Sequence, residues 1–254
     1  ITSSFQQQVE DFSSLIRGLR PPEHLLQANP VWTGDEDDPY EFINIKTGDE
    51  FDVNEYFTIL SHLSMEPGYV LDYIYVYSFD GGGPLLYART ETDLPGQTGP
   101  EWDNCRWGWI VYGKVCNDYC CYVDHIQTDG TEEAFFELIV LRLMGCRFYQ
   151  WNHAHALNDT AIIGDDSSLD EAIALIQQNP YGTPFTEIDE NKARNLDLEP
   201  EIQFCDDVVK VRVLTFNKYI GFTVRVCEIS RDFPHKILDE EAEIIIPYDY
   251  GLTP

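Results

Sequence analysis

Two runs near the C-terminal end constrain the fold most. "VVKVRVLTF" (208–216) and "YIGFTVRVCEI" (219–229) are separated only by "NK", and β-branched residues dominate both. The first run alternates apolar and polar residues. Successive side chains of a strand point to opposite faces, so such a run buries one face and wets the other. So short a connection makes the two strands an antiparallel hairpin. The expected register turns Val209, Val211 and Val213 toward a core and Lys210 and Arg212 toward solvent.

Further strands are expected at "YVLDYIYVY" (69–77) and, after the turn "DGGG", at "PLLYART" (84–90). "RWGWIVYGKV" (106–115), "DYCCYVDHI" (118–126), "CRFYQWNHA" (146–154), "TAIIG" (160–164) and "EIIIPYD" (243–249) read the same way. Helices interrupt them irregularly. Phe5, Val9, Phe12, Ile16 and Leu19 draw one apolar stripe through residues 3–19, which Pro21 and Pro22 end. Asp52 and Glu55 open a helix expected to reach Ser64. Asp129 and Glu132 introduce another over 131–144, with Gly145 placed as a C-cap. Ser168 and Glu171 cap a third, whose Leu169, Ala172, Ile173 and Ile176 share a side. Loop signals fill 179–203. Strands not regularly separated by helices argue against a doubly wound parallel sheet. The expected fold is α+β, a mostly antiparallel mixed sheet with flanking helices. It is read as one domain over 1–254. "DLPGQTGP" (93–100) offers one subdivision, 1–92 from 101–254.

Charge narrows the partners. The chain has 45 acidic and 16 basic residues, a formal net of −29. That field repels nucleic-acid backbones and anionic membranes and attracts basic protein surfaces. Solubility, or adaptation to a salty cell interior, is the plainer meaning of the same charge. No apolar run approaches the roughly 20 residues of a membrane span. Seven cysteines, an odd number without the spacing of a disulfide scaffold, read as free thiols of a cytoplasmic protein. Phosphate-cradling glycine loops, a nucleophile elbow, H-E-x-x-H and C-x-x-C are all absent. The expectation is a soluble, non-enzymatic interaction protein, of the inhibitor or immunity type, for a basic partner. Neither a cofactor, nor a nucleic acid, nor a membrane is expected.

The alternative is a hydrolase centred on "QWNHAHALND" (150–159). On a strand, Trp151, His153 and His155 share one face. Two imidazoles so placed, with Asp159 or Asp165/Asp166 supplying a carboxylate, suit a divalent metal ion such as zinc, iron or manganese. A hydrogen-bonded pair of sheet-face histidines is the ordinary meaning of the same pattern. Cys105, Cys116, Cys120, Cys121 and His125 approach a zinc-knuckle spacing but lack its final cysteine, and read as buried thiols. Aromatic residues supply candidate ligand contacts at Tyr73, Tyr75, Trp107, Trp109 and Trp151. Tyr69, Leu71, Tyr73, Tyr75 and Tyr77 fall on one strand face, a stacking platform if open and core if covered by a helix.

Overall fold

The computed structural model of the chain describes residues 4–26, 31–32, 40–41, 43–44, 47–78, 81–93, 121–152 and 160–251. Among these residues the helices are α1 (Ser4–Ile16), α2 (Glu23–Leu26), α3 (Tyr56–Ile59), α4 (Glu132–Met144), α5 (Asp166–Gln178) and α6 (Glu187–Ala193). The strands are β1 (Val31–Trp32), β2 (Tyr40–Glu41), β3 (Ile43–Asn44), β4 (Leu63–Met65), β5 (Tyr69–Ser78), β6 (Gly81–Thr90) and β7 (Ile126–Thr128). They continue with β8 (Trp151–Asn152), β9 (Thr160–Ile163), β10 (Glu201–Phe204), β11 (Val208–Asn217), β12 (Gly221–Ser230) and β13 (Ile237–Pro247). Every pairing among them is antiparallel. The largest sheet has five strands, β10-β11-β12-β13 with β9 also on β11; a second runs β3-β5-β6-β8. The fold is α+β.

The C-terminal hairpin has the expected register. Val209, Val211 and Val213 are fully buried. Lys210 turns outward to Glu228, and Arg212 lies 3.7 Å from Asp197. The connection is longer than "NK": Asn217 pairs with Gly221, and residues 218–220 form the turn. The Asn217 carboxamide oxygen accepts from the Tyr219 amide at 2.9 Å, the local bond for which asparagine is favoured in turns.

Alternation continues along β11 and changes meaning. Leu214 and Phe216 are buried on the face opposite the valines, so this sheet has a core on both sides. One core joins the valines to α1, α3, α4 and the β5–β6 hairpin. The other packs Leu214, Phe216 and Phe222 against Leu169, Ile173 and Ile176 of α5. β9 divides the same way, Ile162 into the first core and Ile163 into the second.

Helix α4 runs through the first core. All of Ala134–Arg142 is buried, so this helix is enclosed on every side rather than amphipathic. The Thr131 hydroxyl caps it by accepting from the Ala134 amide, and Glu132 and Glu133 complement its dipole. Gly145 follows with an ordinary helical φ of −59°, not a left-handed cap. Its need is spatial: a Cβ there would sit 2.5 Å from the Leu141 carbonyl and 2.8 Å from Leu86.

Several expected elements differ. The helix expected over 52–64 is a 3-10 turn (Val53–Glu55) and the single-turn α3. Asp52 does cap it, but the chain then leaves to pair β4 with β7. Residues 121–125 form a 3-10 turn, and only 126–128 are strand. Of the strand expected over 146–154, residues 153–154 lie outside the described residues, and the rest is strand only at the two residues of β8. Phe148 and Tyr149 are both buried, and Tyr149 turns with φ +53°, which breaks alternation. Helix α5 is capped by Asp165, with Ser168 as its reciprocal partner, not by Ser168. The loop expected over 179–203 holds α6, closed by a Thr186–Asp189 capping box, and β10. The strand expected over 106–115 and most of the candidate linker lie outside the described residues.

Candidate functional site

Of the residues singled out by sequence, His153, His155, Asp159, Trp107 and Trp109 lie outside the described residues. Trp151 opens β8, which pairs with Gly81 and Gly82 of β6. Tyr73 and Tyr75 are core residues, 0% and 1% exposed. Tyr73 meets Phe148 edge-on at 4.8 Å, and the Tyr75 hydroxyl donates to the Tyr149 carbonyl at 2.9 Å. Of the cysteine–histidine cluster, His125 is described. It bonds Glu66 at 2.9 Å and stacks on Tyr69 at 4.0 Å. Among the described residues no three His, Cys, Asp or Glu side chains converge as metal ligands would.

A strongly raised carboxyl is Glu137 in the centre of α4. It is fully buried, and burial pushes it up to about 7. Its oxygens accept from the Gln8 side-chain amide and from the His62 backbone, each at 2.9 Å. The His62 ring meets Asp129 at 2.7 Å, which holds the imidazole above its ordinary value. Asp129 is held low by the Thr131 hydroxyl first and by His62 second. A carboxyl near neutrality beside a His–Asp pair has the acid–base properties a catalytic site needs. The geometry turns those properties inward. Both Glu137 oxygens are occupied and enclosed, so the group ties α1, the 60–62 turn and α4 together. The Gln8 carboxamide oxygen is itself buried without a partner. Rotating that amide lets it accept from a protonated Glu137, so the contact is complete when Glu137 carries its proton. Sequence reasoning missed Glu137, although a signal was there: it is the lone acid inside "AFFELIVL".

The acidic excess is most ordered along β13. Strand β12 covers one side, and among the described residues no strand pairs with the other. Its 11 residues include Asp239, Glu240, Glu241 and Glu243 and no Lys or Arg. Glu240 points inward and is held by Arg142 at 2.7 Å and by Arg225 at 2.8 Å. Asp239, Glu241 and Glu243 are exposed and form no ion pair among the described residues. Leu238 and Ile244 lie on the same strand, 54% and 53% exposed. An open edge carries unpaired amides and carbonyls, and its charges decide what pairs with it. Four acids in one strand repel another copy of this strand and favour a basic segment. Sequence reasoning missed this edge because it started the strand at 243, six residues late, and so left three of the four acids outside it.

No family model fits this sequence, and neither a curated protein nor a solved structure matches it.

Proposed function

We propose that this chain is a non-enzymatic interaction protein of the inhibitor type that engages a basic protein partner through the β13 edge. The observation that carries this reading is the β13 edge, which pairs with no strand among the described residues, with three exposed carboxylates that form no ion pair among those residues beside two exposed aliphatic side chains. A basic extended segment would gain backbone hydrogen bonds from the edge, apolar contact with Leu238 and Ile244, and charge complementarity from Asp239, Glu241 and Glu243. The thiols of Cys205 and Cys227, which form no disulfide, suit a reducing compartment, so the reading puts the protein in the cytoplasm. Among the described residues no helix is long and apolar enough to cross a membrane.

The test is binding to poly-L-lysine and to a small basic globular protein, measured calorimetrically at low and moderate salt. Wild-type protein should bind and weaken steeply with salt, because exposed charges are screened within about 10 Å at 0.1 M. The variant D239K/E241K/E243K should bind at least tenfold more weakly with its fold unchanged. Equal binding by variant and wild type would remove β13 as the interface.

A further inference from the structure

Separate from that acidic edge is a cleft of about 780 Å³ between α1, α5 and β9. Its origin is topological. Among the described residues β9 pairs only with β11, and residues of α1 and α5 line the cleft beside it. Ile16, Met144, Ile162 and Leu175 give the cleft an apolar lining. Leu175 is 40% exposed in the middle of a helix whose other large aliphatic side chains are mostly buried.

The charge lining is the unusual part. Acids outnumber bases across the chain by 45 to 16. Around this cleft the order reverses: Arg17, Arg20 and Arg147 line it against only Glu10 and Glu171. Arg147 is anchored, its guanidinium donating to the Thr160 carbonyl at the start of β9. Arg17 and Arg20 are exposed and form no ion pair among the described residues, in a chain with acids to spare. A basic residue at the C-terminal end of a helix complements the dipole, and Arg17, the first residue past α1, is placed for that. The dipole does not account for Arg20, beyond the helix, or for Arg147, on another element. A cavity of this size, lined by apolar side chains beside charged and polar ones, can hold a small molecule.

We infer that this cleft binds a free amphipathic organic anion, an apolar chain or ring bearing one carboxylate, sulfonate or phosphate group. The apolar body lies over Ile162 and Leu175, and the anionic head meets the guanidinium groups of Arg17 and Arg20. This site is independent of the β13 edge and takes a ligand of opposite charge to the partner read there.

The test is calorimetric titration of the whole chain with dodecanoate below its micelle concentration, with dodecanol and dodecyltrimethylammonium as neutral and cationic counterparts. Dodecanoate should bind saturably at one site per chain, at least tenfold tighter than either counterpart. R17E/R20E, at exposed positions without ion pairs, should keep the fold by circular dichroism and weaken dodecanoate binding at least tenfold. Leu175→Trp, which fills the cleft, should abolish binding in an otherwise wild-type background. No saturable dodecanoate binding, or binding equal to dodecanol and unchanged in R17E/R20E, would overturn the inference. Neither result bears on β13, whose carboxylates are untouched by these variants.

Discussion

Arg142 of α4 donates to Glu240 of β13 at 2.7 Å, joining the central helix to the edge strand of the five-stranded sheet. The Arg142 side chain is 2% exposed and Glu240 15%. Arg142 also reaches the Cys227 sulfur at 3.6 Å, in a setting where burial pushes the thiol up to about 11. A buried ion pair stabilises little relative to well-packed apolar residues, but removing one partner strands the other. Arg225 still holds Glu240 at 2.8 Å, which softens that loss. Arg142→Ala should therefore destabilise the fold by roughly 3 kcal/mol, the low end for a broken buried pair. Arg142→Met, which keeps the volume, should lose clearly less. Chemical denaturation of the two variants decides it, and equal losses would mean that the charge holding Glu240, not packing, is what Arg142 contributes.

Glu137 predicts how stability depends on pH. Its folded pKa of about 7 lies above the ordinary glutamate value of 4.5, so the native state binds the proton more tightly than the unfolded chain. Its contribution is fully present below pH 4.5 and is lost as pH rises through about 7. Glu137→Gln keeps the shape and cannot ionise. It should be more stable than wild type at pH 8, by about 2–3 kcal/mol, and by less than about 1 kcal/mol at pH 5. Urea melts at the two pH values check this; a variant less stable at pH 8 than at pH 5, relative to wild type, contradicts a protonated Glu137.

His62 and Asp129 shift in opposite directions, and each shift has the other as one cause. Both side chains are substantially exposed, 34% and 48%, so the pair adds little to stability. Its signature is spectroscopic. The His62 ring resonances should titrate above pH 6.5 in the wild type, and the midpoint should fall in Asp129→Asn. An unmoved midpoint would assign the shift to the other nearby carboxylates, Glu133 and Glu137.

The sequence showed the hairpin and the helices around Phe12 and Ile173 because each carries a repeating apolar pattern that local geometry must satisfy, and the helix around Phe135 because Asp129 and Glu132 announce its start ahead of a continuous apolar run. It failed where tertiary contacts override the pattern. Asp52 announces a helix, yet burial of Tyr56 and Leu60 and the pairing of β4 with β7 end it after one turn. "CRFYQWNHA" has strand composition, but Phe148 and Tyr149 both enter the core, and the turn at Tyr149, φ +53°, replaces the alternation of a strand there. The β13 edge and the α1–α5 cleft were illegible for a different reason. Each is defined by how segments distant in sequence come together, and that leaves no mark in a single sequence.

Gly221 begins β12 opposite Asn217 with φ +100°, a conformation glycine adopts freely and other residues resist. Space forbids a side chain there as well: a Cβ would lie 2.1 Å from the Ile246 carbonyl oxygen and 2.6 Å from the Tyr248 amide. Both atoms belong to the adjoining chain at the end of β13, so a substitution must push backbone rather than rotate a side chain. Gly68 separates the two effects, since its φ is +90° and a Cβ there would meet nothing within 4 Å. Gly68→Ala should lose about 1–2 kcal/mol, the conformational term alone. Gly221→Ala should lose that and more, with the β12–β13 amides exchanging faster with solvent while those of the β5–β6 hairpin keep their protection. Denaturation midpoints and hydrogen exchange measure both. Equal losses at the two glycines would show that the β13 end yields easily, and that the close approach of Gly221 to Ile246 does not fix this edge.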